Sequence, residues 1–123
     1  ALVESLGTAM DCSCIEIVSH VEDLNVELAD CLINTTSLGL KGEQTLLVDP
    51  KSLHRDMLVY DVIYNPAETP LLKAARANGA QTANGLGMLY FQGVLAFKNW
   101  AGMDIDAKYK KVMRAALEEG AKK

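Results

Sequence analysis

Apolar residues along this chain come in short, almost unbroken runs separated by turn-forming stretches. Their spacing predicts alternating strands and helices. Residues 2–8 read as the end of a helix with Gly7 as its C-cap, and "CSCIEIV" (12–18) as a strand rich in β-branched side chains. "VEDLNVELA" (21–29) gives a helical turn or two, and "DCLINTT" (30–36) a second strand that is nearly all apolar. After the glycine-bearing loop "SLGLKGEQTLL" (37–47), Asp49 and Pro50 open a one-turn helix, "DPKSLH", as N-cap and first helical residue. "MLVYDVIY" (57–64) is the third strand. Thr69 and Pro70 then start a helix that Gly79 stops, and "QTAN" (81–84) is a short fourth strand.

The segment "NGLGMLYFQGVLAFKNW" is apolar on every side of a helix, with Gln92 the exception between Leu86 and Phe97. A helix apolar all round is expected to be buried, where an unpaired amide costs about 1 to 3 kcal/mol. Gln92 therefore needs a partner, either a neighbouring backbone carbonyl or a ligand. The final helix, from about Asp106 to Glu119, is amphipathic, with Tyr109, Val112, Met113 and Ala116 on its apolar face.

Apolar strands alternating with helices indicate an α/β fold with a parallel sheet covered on both faces. Ligands of such sheets bind beyond the carboxyl ends of the strands, which selects Asn34 to Ser37, Tyr64 to Pro66 and Asn84 to Met88. "GLG" at 85–87 is not a dinucleotide phosphate loop, because Tyr90 stands where the third glycine belongs. Two readings of it remain: a tight passage from strand into helix, or bare backbone against which a flat ring can lie. Gly85, Met88 and Gln92 share one helix face. Tyr64 is read as closing its strand with the hydroxyl at the carboxyl edge, or as packed at the core margin. The hydroxyls of "NTTS" are turn residues or cleft lining.

Composition narrows the function classes. The chain has 123 residues, 50% hydrophobic and 23% charged, as befits one folded domain. Its net charge is -4, and its basic residues gather only near the C-terminus (Lys108, Lys110, Lys111, Arg114, Lys122, Lys123), which offers no groove for nucleic acid. No apolar run reaches the roughly 18 residues of a membrane span, and the start lacks a signal-peptide pattern, so a cytoplasmic location is expected. Three cysteines agree with a reducing compartment. Cys12 and Cys14 form C-x-C, but Cys31 and His20 follow at irregular spacing, so buried or half-buried strand thiols are expected and no metal. His54, among Lys51, Arg55 and Asp56, is expected at the surface or at a helix end.

Taken together, "LINTTSLGL" and "YDVIYNPAETPLLKAARANGAQTANGLGMLYFQGVLAFKNWAG" resemble the C-terminal half of shikimate dehydrogenase, over about Asp30 to Gly102. The resemblance implies a Rossmann-like three-layer sheet whose first βαβ unit is absent, with a compact unit over about 30–123 and a remnant helix and strand in 1–29. It implies a fragment of an enzyme that reduces 3-dehydroshikimate to shikimate with NADPH. Substrate-binding roles then fall on Tyr64 and Gln92, and cofactor-binding roles on Thr35, Thr36, Ser37, Gly85 and Met88. The family's catalytic lysine and aspartate have no counterpart in this chain, since nothing places Lys41 or Lys51 beside Tyr64 and Gln92. No catalytic residue is assigned, and the chain alone is expected to be inactive. Alternatives are a quinate dehydrogenase of the same family, or a non-catalytic α/β binding or assembly module. The strand order 3-2-1-4-5-6 of such sheets would leave residues 31–34 at an open edge. That predicts either a homodimer through the edge or a rearranged first 30 residues.

Overall fold

The computed structural model describes residues 15–121. Three parallel strands form one sheet in the order β1-β2-β3: β1 Cys31–Asn34, β2 Leu58–Asp61 and β3 Gln81–Asn84. Their register pairs Leu32 with Val59 and Val59 with Thr82, and ends on a row of Asn34, Asp61 and Asn84. Helix α1, Pro70–Ala77, connects β2 to β3, α2 is Leu86–Ala101 and α3 is Ala107–Gly120. The α/β architecture is the expected one. No helix among the described residues is long and apolar enough to cross a membrane.

Local chemistry accounts for the connections. Asp49 caps a single 3-10 turn over Pro50–Ser52, its carboxylate accepting from Lys51 N at 2.9 Å. Thr69 caps α1 in the same way through Leu72 N, with Pro70 at the first helical position. Leu71, Leu72 and Ala75 on the buried side of α1 pack with Val59, Met57, Leu53, Val48 and Val26 in one core. Gly79, at φ +82°, turns the chain from α1 into β3, a conformation that side chains resist.

Several expectations are corrected. Ile15 to Val18 form no strand, because no described strand lies beside them to complete a ladder; Ile17 is largely exposed. The expected helix over 2–8 and Cys12 and Cys14 lie outside the described residues. Residues 21–29 form two 3-10 turns, Val21–Asp23 and Val26–Leu28. Cys31 is exposed rather than buried, since β1 is an edge strand and its thiol faces away from the core. His54 does follow a short helix, yet it is half-buried.

The largest correction concerns α2. None of its residues is buried, and Gln92 is exposed with no hydrogen-bond partner among the described residues. Phe91, Leu95 and Trp100 stand in the open, with nothing among the described residues covering them. One side of α2 holds α3 through the Tyr90 hydroxyl, which donates to Lys110 O at 3.2 Å. The apolar face of α3 is also uncovered: Tyr109 and Val112 are exposed and border a 350 Å³ groove with Phe97, Met103 and Ile105.

Candidate functional site

The carboxyl ends of β1 and β2 open into two loops that face each other. Thr35, Thr36, Ser37 and Leu40 form one wall of a cleft of about 490 Å³, and Val62, Ile63, Tyr64 and Asn65 form the other. The structure thus brings together four of the seven expected site residues. Tyr64 lies three residues past the end of β2 rather than closing it, because the ladder stops at Asp61 and the chain turns there. Tyr64 is 40% exposed.

Buried polar groups fix both walls, and sequence reasoning had passed over them. Asn34 Oδ1 accepts from Thr36 N at 3.0 Å and from Thr36 Oγ1 at 2.7 Å, while Thr36 Oγ1 accepts from Leu38 N at 3.2 Å. Asn34 Nδ2 donates to Asp61 Oδ1 at 3.2 Å. Asp61, fully buried, also accepts from Ile63 N at 3.0 Å and from Thr69 Oγ1 at 2.7 Å. A buried carboxylate is tolerable only when donors replace its water, and here three do so. The signal in the sequence was a lone acid inside "LVYDVIY".

These bonds divide the hydroxyls of the first wall. Thr36 is committed as both donor and acceptor, which leaves it a structural part of the turn. Thr35 and Ser37 are exposed, and their hydroxyls have no partner among the described residues. They are the groups free to meet a ligand.

Gly85 approaches the second wall from behind. Its N–H donates to Ile63 O at 3.3 Å, and a β-carbon built on it would lie 2.6 Å from the carbonyl carbon of Val62. The close approach of two backbones therefore requires glycine here, whether or not a ring also rests on it. Asn84 braces the same region, donating to Ala67 O at 2.9 Å and accepting from Leu86 N at 3.2 Å. Met88 lines a different cleft, of about 630 Å³, with Tyr60, Ala83 and Phe91. Gln92 borders neither of these two clefts.

With this geometry in hand, similarity to known proteins can be placed. The family described as Shikimate 5'-dehydrogenase C-terminal domain matches residues 85–118. Over 72 residues the chain is 54% identical to the shikimate dehydrogenase (NADP(+)) of Nitrobacter winogradskyi, covering 58% of this chain and 26% of that one. The crystal structure of shikimate 5-dehydrogenase from Listeria monocytogenes, in complex with shikimate and NAD, superposes with a TM-score of 0.75 and 34% identity, covering 90% of this chain and 40% of that one. The matched segment is thus similar to the C-terminal part of shikimate dehydrogenases. Quinate dehydrogenase from Corynebacterium glutamicum, in complex with NAD, is also similar, with a TM-score of 0.67 and 36% identity over 76% of this chain and 32% of that one. The chain spans about a third or less of the length of the curated relatives it matches, 26% of one and 36% of another.

Free hydroxyls stand on one wall and a phenol on the other, at the carboxyl ends of parallel strands. No glycine-rich phosphate turn occurs among the described residues.

Proposed function

We propose that this chain is the cofactor-side part of an NADP-dependent shikimate dehydrogenase, interconverting 3-dehydroshikimate and shikimate. The observation that carries the reading is the paired-wall cleft, with Thr35 and Ser37 facing Tyr64 across it, in a chain similar to that family. When bound, the nicotinamide supplies or takes up the hydride. Thr35 and Ser37 line the cofactor's cleft, Thr36 shapes the turn that carries them, and Gly85 and Met88 are assigned to the nicotinamide through the family resemblance. Tyr64 and Gln92 hold hydroxyls of the substrate. Hydride transfer also requires a proton on the developing alkoxide. No group of this chain is assigned that task. The enzyme works in the cytoplasm, and this chain by itself pairs with a second copy through the free edge of β1.

The test is a chimaera in which this chain replaces the matching segment of the Listeria monocytogenes enzyme. The chimaera is expected to reduce NADP+ with shikimate, whereas the 123-residue chain alone stays at least about a hundredfold slower, for want of proton transfer. A chimaera that melts cooperatively yet oxidises neither shikimate nor quinate overturns the proposal. The likeness to quinate dehydrogenase favours quinate as the second substrate to try. A larger kcat/KM for quinate would make that the assignment.

A further inference from the structure

Asp61 does more than end a strand. Its side chain is bonded to Asn34, which holds the turn of the first wall, and to Ile63 of the second wall, and none of its own atoms lines that cleft. We propose that Asp61 is a positioning residue: its buried carboxylate ties the turn bearing Thr35 and Ser37 to the loop bearing Tyr64, and so sets the spacing between cofactor and substrate. The functional half of this inference rests on the reading above.

The chemistry singles out a carboxylate. Oδ1 takes one N–H from Asn34, which anchors the turn of the first wall, and one from Ile63, on the second. Oδ2 takes the hydroxyl of Thr69. That hydroxyl also accepts from Leu72 N at 3.4 Å, so its hydrogen is directed at Asp61 and the far end of the Tyr64 loop is anchored to α1. Three donors thus converge on two oxygens. An asparagine of the same shape keeps one acceptor oxygen for Asn34 and Ile63 but puts an NH2 opposite the Thr69 hydroxyl, whose own hydrogen then loses its acceptor. Every ion pair among the described residues lies elsewhere, so no cation substitutes for these bonds.

The walls are otherwise joined only by the ladder between β1 and β2, which ends at the pair Asn34 and Asp61, and by Val62 N donating to Asn34 O at 3.0 Å. Beyond that point the side-chain ties hold the spacing. Residues that act through a shared partner give non-additive effects when substituted together. Asn34 and Thr69 share Asp61.

A double-mutant cycle on Asn34→Ser and Thr69→Val therefore tests the tie. In the chimaera each single variant is expected to lower kcat about tenfold at saturating substrates, the factor for losing one partner of a buried hydrogen bond. The double variant should be no slower than the worse single one, and Thr69→Ser should restore the rate. Asp61→Ala, which removes all three bonds, stands in wherever a variant fails to fold, with the same loss expected. A purely structural role would lower Tm and leave kcat within twofold. That result, or losses that multiply in the double variant, overturns the proposal.

A second readout needs no cofactor. Amide hydrogen exchange in the chain itself should quicken in Thr69→Val at Thr36, Leu38 and Ile63 relative to Val59, as the tie slackens across both walls. If the chimaera proves inactive, this measurement alone decides: selective quickening at Thr36 and Leu38 sustains the tie, and exchange confined to the start of α1 refutes it.

Discussion

The backbone carbonyl of Val62 fills the space that a side chain on Gly85 would need. The first residue after β3 is thereby pressed against the loop after β2, and α2 begins where that contact puts it. Gly85→Ala forces a methyl into backbone rather than into a movable side chain. We expect a loss of about 2 to 3 kcal/mol in stability, the upper part of the range for overpacking. Denaturant titration measures it, and a change within about 0.5 kcal/mol would show that the two backbones separate freely.

Gln92 presents the opposite case. It is exposed and unbonded among the described residues, so Gln92→Ala should leave the melting temperature of this chain unchanged. In the active chimaera the same change is expected to cost about 1 to 3 kcal/mol in kcat/KM for shikimate, the value of a hydrogen bond made only once substrate is bound. Lost stability with intact kinetics would make Gln92 a structural amide.

Association through β1 has its own test. The strand's outer edge has no ladder partner among the described residues, and Ile33 beside it is 57% exposed. Sedimentation of the 123-residue chain is expected to give a dimer, and Ile33→Lys a monomer, since lysine guards strand edges. A wild-type monomer at high concentration refutes pairing at this edge.

What the sequence disclosed followed the range of the forces involved. Capping at Asp49 and Thr69, the stop at Gly79 and the strands at 31–34, 58–61 and 81–84 depend on neighbours a few residues away, and each was legible. The strand expected at 15–18 depends on a partner that no described residue supplies. The burial expected of α2 failed for the same reason, because an apolar pattern records what a surface prefers and not whether anything covers it. At the site, Thr35, Thr36, Ser37 and Tyr64 were legible as positions beyond strand ends. The roles of Asn34, Asp61 and Thr69 were not, since their bonds span up to 27 positions along the chain.

Trp100 is the only tryptophan of the chain, sits in the last turn of α2 and is 85% exposed. The chain therefore carries a built-in optical gauge of whatever comes to rest on that helix. Its indole emission should have the red-shifted maximum of a ring in water while the helix is bare. It should move to the blue as a covering surface expels that water, giving a docking titration that needs no added label.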